Sequence, residues 1–148
     1  MQLNNYLFLD GRCEEAFAHY QQVLGGTMLA MIRHTGTPAE EHVPPEWRDK
    51  IMHACLEVDG RRLMGSDTPP GCGSPLGGFS IQIATGTVEE AERVFDALGQ
   101  GGKISMPIGQ TFWAERFGML TDTFGVPWMI ICEGAVKFAH DGAGAAAA

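Results

Sequence analysis

The sequence predicts an α+β fold made of two tandem βαβββ modules, and three observations lead there. Two segments, Cys13 to Leu24 and Val88 to Leu98, carry apolar residues at three- and four-residue spacing, and each stands among short strand-like runs. The two halves also match in register. Glu14-Glu15-Ala16 corresponds to Glu89-Glu90-Ala91, Tyr20 to Phe95, and Gly25-Gly26 to Gly101-Gly102, at a nearly constant offset. Between them lies the Pro/Gly/Ser-rich stretch Asp67 to Gly78, after which the pattern restarts. The modules are therefore expected at residues 1–68 and 79–134 of one structural domain. A linker at 69–78 separates them, and a Gly/Ala-rich tail at 135–148 without core-forming periodicity is expected to be disordered.

In chain order, Asn5 to Leu9 reads as a strand closed by Asp10-Gly11. The first helix buries a stripe of Cys13, Ala16, Phe17, Tyr20, Val23 and Leu24, and Gly25-Gly26 stops it. Thr27 to Arg33 is a strand. Thr35 to Asp49, with three prolines and several charges, is a mobile loop with one helical turn around Glu46 to Asp49. Ile51 to Val58 and Arg61 to Ser66 form a hairpin across Asp59-Gly60, a type I′ signal. In the second half, Phe79 to Ala84 is a strand and Thr87-Val88-Glu89-Glu90 a capping box. The second helix buries Val88, Ala91, Val94, Phe95 and Leu98, Gly101-Gly102 ends it, and Lys103 to Ile108 opens three more strands. The last two, Arg116 to Thr121 and Pro127 to Cys132, flank a turn at Asp122 to Gly125, where Gly supplies the positive φ. The aromatics of Phe112 to Trp128 build either a core or the wall of a ligand cavity.

Composition excludes several function classes. The 148 residues are 45% apolar, enough for one compact core or two small modules sharing one. A net charge of −8 without a Lys/Arg cluster argues against nucleic acid and anionic membranes as partners. No apolar run is long enough to span a bilayer and no basic start precedes an apolar stretch, so a cytoplasmic location is expected. Cys13, Cys55, Cys72 and Cys132 form no C-x-x-C and read as free thiols. Cys13 opens a helix, where the dipole could lower its pKa, or it is a small apolar filler.

The repeated βαβββ unit resembles the vicinal oxygen chelate superfamily, the glyoxalase, bleomycin-resistance and extradiol dioxygenase group, over about residues 3 to 133. Phe112-Trp113, Arg116-Phe117-Gly118, Asp122, Phe124-Gly125 and Trp128 are similar to the signature of its PhnB-like branch. So are Tyr6-Leu7-Phe8 before Asp10-Gly11, and Met52-His53-Ala54 leading to Leu63-Met64-Gly65-Ser66-Asp67. The chain departs from the branch at Ala114, where Gly is usual, and at Val126-Pro127, where a His commonly precedes the Trp.

The resemblance implies a glyoxalase/bleomycin-resistance-type cupped sheet whose floor holds a divalent metal. Its ligands would be His, Gln or Glu on the first and last strands of each module. Those positions fall at Leu3 or Asn4, between Met64 and Asp67, at Ser80 and at Met129. Strand alternation turns Ser80, Gln82 and Ala84 toward the cup, with Met129, Ile131 and Glu133, while Ile81, Ile83, Trp128, Ile130 and Cys132 face the helix. Met is a weak, soft ligand and Leu none at all, so no metal and no cofactor are expected.

Eight methionines, most of them in strands, suit either core filling or an adaptable lining. The expected function is binding of a small apolar or aromatic molecule in a metal-free cup lined by Met64, Ser80, Gln82, Phe112, Trp113 and Met129. The alternative is a metal-free lyase, isomerase or transferase with His53 and Asp67 as acid–base pair, or a divalent-metal-dependent glyoxalase-like enzyme. Against the catalytic option, His53 also reads as a structural histidine and Asp67 as a cap or turn residue. His34 and His42 fall in the mobile loop. A homodimer is expected, because half-open sheets leave strand edges to be covered, with the Thr35 to Asp49 loop as a contributor or lid.

Overall fold

The computed structural model describes residues 1–135; the expected tail lies outside the described residues from position 136 onward. The chain divides after Leu76, within the Pro/Gly/Ser-rich stretch, into two compact units. The first contains β1 (Asn5–Leu9), α1 (Cys13–Leu24), β2 (Thr27–Arg33), β3 (Ile51–Val58) and β4 (Arg61–Asp67). The second contains β5 (Ile81–Ala84), α2 (Val88–Gly99), β6 (Lys103–Gly109), β7 (Arg116–Thr121) and β8 (Pro127–Cys132). Their sheets run β1-β4-β3-β2 and β5-β8-β7-β6, each with its first strand parallel to its last and the rest antiparallel. The duplicated βαβββ order is thus a duplicated topology.

Each helix covers one face of its own sheet. In the first unit Cys13, Ala16, Phe17, Tyr20 and Val23 are buried, together with Leu7, Leu9, Ala54, Leu56 and Leu63. A Cβ on Gly65 would sit 2.8 Å from the Phe17 ring, so glycine there lets the helix lie close to β4. In the second unit Ala91, Val94, Phe95 and Leu98 are buried with Leu120, Trp128, Ile130 and Cys132. Arg116 Nε donates to Glu92 Oε1 at 2.7 Å, fastening β7 to α2.

The repeated glycine pair has a physical cause. A Cβ on Gly26 would collide with the Glu57 carbonyl oxygen, and one on Gly102 with that of Thr121, so both glycines let the chain leaving the helix press against the neighbouring strand. The Asp59-Gly60 turn has φ of 48° and 74°, the pair of positive values that a type I′ hairpin requires. Thr87 Oγ1 accepts the Glu90 amide at 3.2 Å, while Glu90 Oε2 reaches the amide of Gly86 at 3.4 Å, one residue earlier than the usual reciprocal bond.

Two local expectations change. The fifth strand begins at Ile81 rather than Phe79, leaving Ser80 just outside it and Phe79 exposed. Ile81 pairs with Trp128, so Ser80 would fall opposite Pro127, which has no N–H for the ladder. The 34–50 connection is also not a loose loop. It forms 3₁₀ turns at Pro38–His42 and Pro45–Trp47, and its ends are bonded together. His34 N and Nδ1 lie 3.2 and 3.0 Å from Lys50 O, Thr35 N donates to Arg48 O at 2.9 Å, and Lys50 Nζ donates to Gly11 O at 2.8 Å. His34 is buried as a result.

Candidate functional site

With α1 on one face of the first sheet, alternation sends Tyr6 and Phe8 of β1, His53 and Cys55 of β3, and Met64 and Ser66 of β4 to the other. The registers Tyr6↔Met64, Phe8↔Ser66 and Cys55↔Met64 set these side chains side by side. Tyr6 reaches across β4 to His53: its hydroxyl is 3.2 Å from Nδ1, and the rings lie 5.8 Å apart at 24°. Phe8 extends the platform, 5.3 Å from Tyr6. Tyr6 and Phe8 are 40% and 58% exposed, so this aromatic surface meets solvent.

Asp67 belongs to the opposite side. It is 5% exposed, on the helix-facing side of β4 with Leu63 and Gly65. Its Oδ1 accepts the amide of Cys13 at 2.9 Å and its Oδ2 that of Ile51 at 2.9 Å. The residue before α1, Arg12, gives no side-chain cap, so Asp67 caps the helix across 54 positions of chain and anchors the start of β3 with its other oxygen. The structure therefore brings His53 together with Tyr6 and gives Asp67 to the backbone. At the same helix start, Cys13 is fully buried. Burial, followed by the negative charges of Asp67 and Glu14, pushes its thiol from 9.0 up to about 12. The helix dipole does not activate it; the filler reading is the one realised.

In the second unit the open face carries Gln82 and Ala84 of β5, Met129 and Ile131 of β8, and Phe117 and Met119 of β7. Gln82 pairs with Met129 and Met119 with Met129. Ala114, Phe117 and Ile131 form a buried cluster against which Trp113, Met119 and Met129 pack. Trp113 stands edge-on to Phe117 at 5.4 Å, and Phe112 edge-on to Trp113 at 4.7 Å. Thr111 holds this aromatic step in place, its Oγ1 accepting the amides of Trp113 and Ala114 at 3.4 and 3.1 Å. Ala114, which replaces the branch's usual glycine, is fully buried in the cluster. Phe112 is 76% exposed at the end of the step.

The hairpin aromatics thus divide between both roles. Trp113 lies on the open side, whereas Trp128 is 1% exposed in the core and donates Nε1–H to Asp122 Oδ2 at 2.8 Å. Asp122 Oδ1 also accepts the amides of Phe124 and Val126 at 2.8 and 2.9 Å, so one buried carboxylate shapes the whole turn. Of the sequence-derived lining, Gln82, Phe112, Trp113 and Met129 gather on the second unit's open face. Met64 lies on the first unit's, and Ser80 is half-buried just before β5. Sequence reasoning missed Tyr6 and Phe8. The signal was present, since both alternate with the core-facing Leu7 and Leu9.

The family's divalent metal can be tested against these positions. The open-face pairs on the first and last strands are Tyr6 with Met64, Phe8 with Ser66, Gln82 with Met129 and Ala84 with Ile131. Their side chains provide a phenol, an aliphatic hydroxyl, an amide and two thioethers, whereas a hard cation needs several convergent carboxylate, imidazole or carbonyl donors. Among the described residues no group of three or more His, Cys, Asp or Glu is placed to hold a metal. The residues do not fit the group.

The chain is 38% identical over 138 residues to protein YjdN of Escherichia coli, covering 88% of this chain and 94% of that one. The crystal structure of protein PA1353 from Pseudomonas aeruginosa superposes with a TM-score of 0.83 at 47% identity, over 90% of this chain and 98% of that one. A PhnB protein from Bacillus cereus does so with a TM-score of 0.73 at 25% identity, over 89% and 99% of the two chains. The family model of the glyoxalase/bleomycin resistance protein/dioxygenase superfamily matches residues 2–130. The chain belongs to that superfamily, with PhnB-like proteins among its structural neighbours.

Proposed function

We propose that this protein binds a small apolar or aromatic molecule on its open sheet faces without a metal ion. The observation that carries the proposal is the step Phe112–Trp113–Phe117 over Met119, Met129 and Ile131. Aromatic edges and flexible thioethers make an apolar surface that adapts to a ligand's shape, and Gln82 beside Met129 adds one neutral amide to orient it. Titration calorimetry against a panel of aromatic metabolites and drugs tests this. At least one compound should bind at micromolar concentration or tighter, and Trp113→Ala should weaken it at least tenfold; flat titrations across the panel refute the proposal. Metal analysis of protein purified without chelator should find no stoichiometric divalent ion, and finding one refutes the metal-free part.

The enzymatic alternative, a metal-free lyase, isomerase or transferase with His53 and Asp67 as acid–base pair, has less support because both Asp67 oxygens are occupied by backbone amides. The Bacillus cereus relative is named as a candidate 3-demethylubiquinone-9 3-methyltransferase. Among the described residues there is no Gly-rich strand-to-helix turn of the kind that binds nucleotide-like cofactors. The proposal includes a homodimer, motivated by the edge strands β1, β2, β5 and β6.

A further inference from the structure

We infer that the Tyr6–His53 pair selects aromatic ligands carrying a hydroxyl group, phenolic or enolic, on the first unit's open face. The inference rests on the small-molecule binding proposed above and names the ligand class. The two groups share one hydrogen bond at 3.2 Å, and either can supply its proton. If the Tyr6 hydroxyl donates to Nδ1, the neutral imidazole presents Nε2–H outward and the Tyr6 oxygen keeps a free lone pair. If Nδ1–H donates to the Tyr6 oxygen, Tyr6 presents its O–H outward and Nε2 becomes the acceptor. In both arrangements the pair offers the ligand one donor and one acceptor.

A hydroxyl group is complementary to that offer, since its oxygen both donates and accepts. An ether can only accept and satisfies half of it. A carboxylate also only accepts, and it sets a negative oxygen against the pair's remaining lone pair. The rings determine the rest of the ligand. Tyr6 and His53 lie within 24° of each other and suit a flat aromatic body, and Phe8, 5.3 Å from Tyr6 and tilted 44° to it, forms a raised apolar edge. His53 and Phe8 flank Tyr6, so a ring seated there brings its substituent to the Tyr6–His53 bond. No covalent step is involved; both side chains recognise the ligand.

The test is calorimetric titration at pH 8 of 4-tert-butylphenol, 4-tert-butylanisole and 4-tert-butylbenzoate into the wild-type chain and the double variant Tyr6→Phe/His53→Phe. Tyr6→Phe keeps the ring and removes only the oxygen, at an exposed position where folding is little affected; a circular dichroism melt checks that the double variant folds. The wild type should prefer the phenol over the anisole by about fivefold to tenfold, the upper part of the range that one net hydrogen bond supplies. In the double variant Tyr6→Phe/His53→Phe, which also removes the two ring nitrogens that would still offer a donor and an acceptor after Tyr6→Phe alone, that preference should fall below twofold. Equal wild-type affinity for all three probes overturns hydroxyl selection but leaves small-molecule binding standing. A phenol preference that survives in Tyr6→Phe/His53→Phe overturns the assignment to this pair. Absence of binding by all three overturns the inference, and the broader aromatic panel then decides the parent proposal separately.

Discussion

Replacing Asp67 tests whether it is a strut of the fold or one half of an acid–base pair. The carboxylate is 5% exposed and accepts the amides of Cys13 and Ile51, both at 2.9 Å. Bonds to a charged acceptor contribute about 1.5–3 kcal/mol each, and leaving a buried amide unpaired costs a similar amount. Asp67→Ala removes both acceptors and should cost about 3–6 kcal/mol, a large part of the roughly 5–15 kcal/mol that holds a domain together. Asp67→Asn keeps one oxygen but turns an NH₂ group toward the other amide, for a loss of about 2–4 kcal/mol. At roughly 2–4 °C per kcal/mol for a chain of this length, the Asn variant should melt about 4–16 °C lower. Urea denaturation followed by circular dichroism measures the loss directly, with Asp96→Asn on the exposed face of α2 as a control expected within about 0.5 kcal/mol of wild type. A loss below about 0.5 kcal/mol for Asp67→Asn would refute the strut assignment and reopen the question of a chemical role.

Three further outcomes follow from the same contacts. Because the folded Cys13 thiol is raised from 9.0 to about 12, its contribution to stability is complete below pH about 9 and is lost as pH climbs toward 12. Unfolding free energy should fall across that window by up to about 1.4 kcal/mol per pH unit more in wild type than in Cys13→Ala, and equal slopes in a urea series would contradict the assignment. Gly26→Ala, which drives a Cβ into the Glu57 carbonyl at φ +86°, should destabilise by more than about 2 kcal/mol. Gly36→Ala, at φ +78° with open space around it, should cost only about 1 kcal/mol, so equal melting shifts would remove the contact as the cause. Light scattering at micromolar concentration should report twice the 16.0 kDa chain mass, and a particle of 16.0 kDa would rule out the homodimer.

The sequence by itself determined what depends on near neighbours. Helix periodicity marked α1 and α2. Alternation correctly turned Gln82 and Met129 away from the helix and Trp128 and Ile130 toward it, and the Asp59-Gly60 and Asp122–Gly125 turns were legible from their glycines. These features follow from local backbone geometry, which a few adjacent residues set. The tertiary structure decided every contact whose partners are distant in the chain or hidden from pattern. Tyr6 meets His53 across 47 positions, and Asp67 reaches the start of α1 across 54. Read locally, Asp67 is a strand-end acid with two candidate roles; in the fold, two amides 2.9 Å away occupy its oxygens. Cys13 reads locally either as a thiol at a helix dipole or as a small apolar filler, and burial, followed by the carboxylates of Asp67 and Glu14, decides for the filler. Charge, desolvation and hydrogen bonding depend on what lies within a few ångströms, and only folding brings those groups into range.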